Sequence, residues 1–217
     1  MDVIPTVESG IPFGVLRGLA SPKAISERCE FCAIEVPAGH RHLLEVGSRK
    51  ILCVCDPCGL RFEGVVGGRF AFIPRDVRAL PGFRITDGQW DSLALPINLA
   101  FFMRSRTTGS IQALYPSPAG VTESLLPLEH WEAIAAENPA LGELAPEVEA
   151  LLVNRVGEER EYFIAPIDRC YELAGLIRVH WRGLSGGETV WRKIGEFFAS
   201  LRPCTSQGAE SREVRDA

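Results

Sequence analysis

The sequence predicts an α+β chain in two parts, a small cysteine-bearing metal module followed by a mixed α+β domain. Three observations carry this reading. Five of the seven cysteines fall between Cys29 and Cys58, in close pairs. From about residue 76 the cysteine pattern ends, and short apolar runs bounded by turn residues alternate with segments of three-and-four apolar spacing. The 217 residues are 46% hydrophobic and 24% charged, the proportions of a globular protein with a real core.

The elements follow in order. Residues 1–24 are rich in Gly, Pro and Ser without a clear period, and read as an extended N-terminal arm. Residues 25–75 form the module. Within it HRHLLEVGSRKILCVC predicts two short strands turning at Gly47-Ser48, and Gly67-Gly68 introduces a third strand from Arg69 to Pro74. Residues 76–202 form the second domain. Thr86 or Asp87 caps a short helix containing Trp90 and Leu93. Asn98 to Arg106 and Ser110 to Tyr115 read as strands joined at Thr108-Gly109, and the run LAFFM predicts burial on both faces. YPSPAG must be a loop on this reading, because Pro116 and Pro118 exclude regular pairing.

Pro127 opens a helix with Leu128, Trp131, Ile134 and Ala135 on one side, ended by Asn138-Pro139. Glu149 to Val156 and Glu161 to Ile167 read as a second strand pair. Asp168 then caps a helix whose inner face is Cys170, Leu173, Ala174, Ile177, Trp181 and Leu184. Ser185 to Glu188 reads as a capping box for a last helix burying Val190, Trp191, Ile194, Phe197, Phe198 and Leu201. Pro203 ends it, and residues 203–217 read as a polar, disordered tail.

Charge and hydropathy exclude several roles. The net charge is −5, and the arginines from Arg69 to Arg78 are interrupted by apolar residues and Asp76, so no basic face for nucleic acid is expected. The longest apolar stretch, Leu93 to Met103, contains Pro96 and Asn98 and is too short to span a bilayer. The N-terminus lacks the pattern of a signal peptide, so the expected compartment is the cytoplasm. An odd number of clustered cysteines fits metal binding better than a secreted disulfide framework.

The chemistry-bearing motif is Cys29-x2-Cys32, twenty residues, then Cys53-x-Cys55-x2-Cys58. Two CxxC pairs at this separation are the pattern of a zinc ribbon or a rubredoxin-like iron site. Two intervening residues let a tight turn bring both thiolates to one ion while backbone N–H groups face the sulfurs. Pro57 stiffens the second turn, and Gly59 lets the chain fold back without a Cβ clash; the first turn, ending in Ala33, has no such glycine. The expected ligands are therefore Cys29, Cys32, Cys55 and Cys58. Zinc is the expected ion and iron the alternative. Cys53 is the extra cysteine. On a strand it shares a side with residue 55, so it is an alternative ligand, a reactive thiol or a packed apolar residue. His40 and His42 lie between the pairs; they are expected at the surface, with substitute ligation as the other reading.

No catalytic constellation accompanies this motif. The chain lacks HExxH, a P-loop and a dinucleotide glycine pattern. His130 and His180 read as surface or helix-end residues, Asp168, Arg169 and Glu172 as a solvated helix start, and Gly186-Gly187 as a helix-start turn.

The phrases CEFC, HRHLLEV, LCVCDPC, LPINLAFFM, YPSPAGVTES and APIDRCYELAGLIRVHWRGLSGG resemble an uncharacterised bacterial family whose genes lie beside nickel–iron hydrogenase genes. The resemblance covers roughly residues 25–201. It implies a role beside hydrogenase, with a hydrogenase subunit or maturation protein as partner. By analogy with small rubredoxin-like proteins of other hydrogenase gene clusters, the expectation is a non-enzymatic accessory protein with a structural zinc. An iron electron carrier and a thiol-redox enzyme using Cys53 are the alternatives.

Overall fold

The computed structural model describes residues 27–64, 68–125 and 131–202. The N-terminal arm, the tail, Gly67 and the expected helix start at Pro127 and Leu128 lie outside the described residues, as does His130. Among the described residues the chain is mixed α+β, with two antiparallel sheets and five helices.

The module is built on a three-stranded sheet of order β2-β1-β3. Strands β1 (Arg41–Glu45) and β2 (Lys50–Val54) form the hairpin expected around Gly47-Ser48, and β3 (Phe70–Phe72) pairs with the other edge of β1. Alternation along β1 divides its side chains between two environments. Leu43 packs with Leu52, Val54 and Cys29 in a small core beside the cysteine pairs. Leu44, together with Ala71 and Ile73, enters the main core of the following domain. One small sheet thus serves both the cysteine module and the domain. After β2, a single helical turn α1 (Asp56–Gly59) runs into a 3-10 turn at Leu60–Phe62.

The domain is organised by a six-stranded sheet of order β4-β9-β8-β5-β6-β7. Its strands are β4 (Arg78–Ala79), β5 (Leu99–Arg104), β6 (Ile111–Ser117), β7 (Gly120–Glu123), β8 (Glu149–Asn154) and β9 (Glu161–Pro166). Every residue of β8 is buried, and so are the first five of β5, because layers cover both faces. Phe101, Met103, Leu152 and Phe163 face one core; Ala100, Phe102, Leu151 and Ile164 face the other. The expectation of two-sided burial for LAFFM is met.

Two long helices, α4 (Ile167–His180) and α5 (Glu188–Leu201), cover the first face through Cys170, Leu173, Ile177, Val190, Ile194 and Phe198. The second face is covered by α2 (Asp87–Ser92), α3 (Trp131–Glu137) and the 3-10 turn at Pro139–Glu143, which supply Trp90, Trp131, Ile134 and Leu141. Of the two expected caps, Thr86 is the one used, and it closes a reciprocal box with Gln89.

Four local expectations are corrected. Pro116 does not end β6: the strand continues to Ser117 and pairs with β7, which the sequence reading missed. The registered pairing of β6 with β5 stops at Leu114, so the proline has no ladder partner there to deprive of an N–H. Asp168 is not the cap of α4; that position is Pro166, and Asp168 sits in the first turn. The cap of α5 is Gly187, at φ 77° and ψ 162°, in place of a serine capping box. Leu184 is fully exposed and Trp191 is 43% exposed, so neither joins the inner face expected of it. Among the described residues, no helix is long and apolar enough to cross a membrane.

Candidate metal centre

Two knuckles bring four cysteines together. In the first, the Ala33 N–H donates to Cys29 O at 2.8 Å and the Cys29 N–H to Ile34 O at 2.9 Å. In the second, the Gly59 N–H donates to Cys55 O at 2.8 Å. The two turns therefore close in the same way despite ending in different residues. The absence of a glycine from the first is borne by Ala33, which takes φ 61°. Gly59 keeps ordinary helical backbone at φ −59°, so its use is one of space: a Cβ there would meet the Phe72 ring at 3.2 Å. Phe31, Phe62 and Phe70 close over the knuckles with centroids 5.1–5.6 Å apart.

The Sγ atoms of Cys29, Cys32, Cys55 and Cys58 all lie within 4.8 Å of one another, and Cys32 to Cys55 is 3.6 Å. A tetrahedron with metal–sulfur bonds of about 2.3 Å has edges of roughly 3.8 Å. The group can hold a metal ion on that ground. Cys29 is buried, Cys55 and Cys58 are half-buried, and Cys32 is exposed.

The electrostatics of the set point the same way. Burial opposes a thiolate at Cys29, yet hydrogen bonds from the backbone of Cys55, Phe31 and Cys32 outweigh it and draw that thiol from 9.0 down to about 6. Cys58 is pushed up to about 12, chiefly by the neighbouring Cys55 and Cys32 side chains and then by burial. At Cys55 the Cys58 backbone favours the thiolate, but burial and the Cys32 and Cys29 side chains raise it overall. The site therefore favours one thiolate and resists the rest. A bound cation removes that conflict by taking the place of the protons.

Cys53 stands apart from this group. It lies directly across the β1–β2 ladder from His42. Its thiol is raised by burial, and then by the charges of Glu27 and Glu30, the reverse of the low-pKa exposed thiol that a redox nucleophile needs. It joins His40 and His42 in a second group, whose ligand atoms again lie within 4.8 Å of one another. The histidines are not the surface residues expected. The His40 side chain is 4% exposed, and His42 is held by Asp168 at 2.7 Å. Nor are Asp168, Arg169 and Glu172 a merely solvated helix start, since the Asp168 side chain is only 20% exposed in this contact. The signal in the sequence was the alternation: His40-x-His42 and Cys53 occupy one face of a hairpin, and a register argument would have placed them together.

No curated protein and no solved structure matches the chain. One family does, over residues 28–205, which takes in both cysteine pairs and the whole α+β domain. The chain belongs to this family, described as a family of unknown function, DUF5947.

Proposed function

We propose that this protein is a metal-binding accessory protein, in which Cys29, Cys32, Cys55 and Cys58 hold one zinc ion. It acts through contacts with a nickel–iron hydrogenase subunit or with a protein of its maturation, and has no turnover of its own. The observation that carries the metal reading is the convergence of four sulfurs from two knuckles within 4.8 Å. Four protein thiolates leave zinc no open position, which is the character of a structural site. The zinc would hold the two knuckles and the hairpin in one rigid unit.

The partner rests on the resemblance carried by CEFC, LCVCDPC and LPINLAFFM. A docking surface of suitable chemistry supports it. An apolar cleft of about 470 Å³ lies between the sheet and the helices, lined by Ile97, Tyr115, Pro116, Trp181 and Trp191 among others. Both indole N–H groups are committed to the neighbouring loop, Trp181 to Gly183 O and Trp191 to Ser185 O, each at 2.9 Å. The loop so held projects Leu184 into solvent, and Val179 is also exposed. An apolar cleft with exposed apolar side chains near it suits a protein partner.

A rubredoxin-like iron centre is the second reading. Exposure of Cys32 and partial exposure of Cys55 and Cys58 favour it, because electron exchange needs a metal near the surface. Elemental analysis and a visible spectrum of protein purified from its native host separate the two. Stoichiometric zinc and a colourless protein are expected; stoichiometric iron with colour that bleaches on reduction establishes the second. Deletion of the gene in a hydrogen-oxidising host is expected to lower hydrogenase activity, most under air, and a tagged copy to recover a hydrogenase component. Unchanged activity under both aerobic and oxygen-limited growth overturns the partner assignment.

A further inference from the structure

We propose that His40, His42 and Cys53 form a second metal site, distinct from the four-cysteine group, for a divalent first-row cation of zinc type. His40 Nδ1 lies 3.0 Å from Pro37 O and 3.6 Å from Glu27 Oε2. Both are acceptors, so Nδ1 carries the ring proton and Nε2 carries the lone pair. That Nε2 is buried without a hydrogen-bond partner, on a side chain 4% exposed. A buried acceptor left unpaired is costly, and a cation beside it removes the cost.

His42 is prepared in the same sense. Its Nδ1 lies 2.7 Å from Asp168 Oδ2. A carboxylate on one ring nitrogen fixes the tautomer and leaves Nε2 as the basic atom, the arrangement by which metal-binding histidines are oriented. Cys53, opposite His42 on β2, supplies a thiolate once the cation displaces its proton. The two imidazoles stand 4.7 Å apart at 81°, so they approach a common point from different directions. With the three ligand atoms within 4.8 Å of one another, binding draws them inward by about 1 Å to reach bonds of about 2.0–2.3 Å.

Two imidazoles and one thiolate suit zinc and its spectroscopic substitute cobalt. Three protein ligands leave one coordination position. A cleft of about 450 Å³ borders His40 and His42, and Arg75, Asp168, Arg169 and Glu172 line its walls, so water or a small anion has access. The site also lies at the seam between the module and the domain. His40, His42 and Cys53 come from the module, and Asp168 comes from α4.

The test is cobalt(II) and zinc(II) titration of the full-length chain after metal removal under reducing conditions. Wild type is expected to bind two ions per chain, one of them with a tetrathiolate cobalt spectrum. His40→Gln and Cys53→Ser are each expected to bind one ion and keep that spectrum, which also shows that they are folded. His42→Gln, at a partly exposed position, repeats the measurement if His40→Gln does not fold. Asp168→Asn is expected to weaken the second ion by about 10–100-fold and leave the first unchanged. One ion per wild-type chain overturns the proposal, as does a second ion retained by His40→Gln or His42→Gln and by Cys53→Ser. Loss of the tetrathiolate spectrum in Cys53→Ser assigns Cys53 to the first site and also overturns it. Two ions in wild type, neither giving that spectrum, count instead against the four-cysteine assignment.

Discussion

Asp168 Oδ2 and His42 Nδ1 meet at 2.7 Å, joining the first turn of α4 to β1 across 126 positions of sequence. The contact lies where Leu44 and Ala71 of the small sheet, and Ile73 just after it, enter the main core. The cysteine module and the domain are therefore coupled by packing and by a polar contact. The domain nevertheless has a second core of its own, around Phe102, Trp131 and Leu151, which contains no residue of the module. Chelation is expected to expose the amides of β1–β3 to hydrogen exchange while those of β5, β8 and β9 stay protected. The midpoint of the remaining unfolding transition should fall. A midpoint that does not move would show that the shared packing contributes nothing, and loss of all protection would show a single cooperative unit.

The knuckles give a paired prediction of opposite sign. Ala33 is held at φ 61°, where an L side chain costs about 1–2 kcal/mol and glycine costs none of it. Ala33→Gly is therefore expected to stabilise the metal-loaded protein by about 0.5–1 kcal/mol, after glycine's larger entropy loss on folding. Gly59→Ala puts a Cβ 3.2 Å from the Phe72 ring in a packed corner and is expected to cost about 1 kcal/mol or more. Denaturant midpoints of the loaded proteins check both. A destabilised Ala33→Gly would show that the left-handed turn is not strained.

Gly186 meets two constraints at once. It has φ 86°, and a Cβ added there would lie 2.8 Å from Val190 Cγ1 and 3.2 Å from the Trp181 ring. Left-handed backbone on a non-glycine residue costs about 1–3 kcal/mol, and the clash adds to it. Gly186→Ala is expected to lower stability by at least about 2 kcal/mol and to disturb the Trp181–Trp191 pair, whose centroids are 6.1 Å apart. Tryptophan fluorescence with an unfolding curve reads both effects. A near-neutral variant would mean that the loop before α5 relaxes freely.

What the sequence revealed, and what it hid, follows from the range of each interaction. The four-cysteine set is legible because each CxxC pair closes one local turn, and the spacing is itself the geometry. The hairpin of β1 and β2, the capped α2 and the doubly buried LAFFM strand are local in the same sense. The second group was missed because His42 and Cys53 face each other only once the hairpin register is fixed, and Asp168 arrives from 126 positions away. Leu184 and Trp191 carried helix-like spacing, yet α4 ends at His180, and the turn that follows puts Leu184 outside. Pro116 misled because the rule against proline in strands applies where a neighbouring strand needs the missing N–H, and the pairing of β6 with β5 has already stopped at Leu114, leaving only β7 beside it.

Cys170 predicts how stability depends on alkaline pH. Its side chain is fully buried on the inner face of α4. Burial is the main reason its thiol is raised far above the ordinary value of 9.0; Asp168 raises it further and Arg169 opposes the rise. The folded chain thus keeps a proton that the unfolded chain releases near pH 9. The stabilisation is complete below that value and is lost progressively as pH rises above it, by up to about 1.4 kcal/mol per pH unit. Tyr171 is also raised by burial and adds a loss of the same sign, beginning nearer pH 10. Unfolding free energies of wild type and Cys170→Ala, measured by denaturant at intervals from pH 8 to 10.5, isolate the thiol. Cys170→Ala is expected to be less stable at pH 8, where the small cavity left by the sulfur dominates, and to decline less steeply above pH 9. Parallel curves for the two proteins would mean that Cys170 is not held protonated by the fold, and that its burial has no titration consequence.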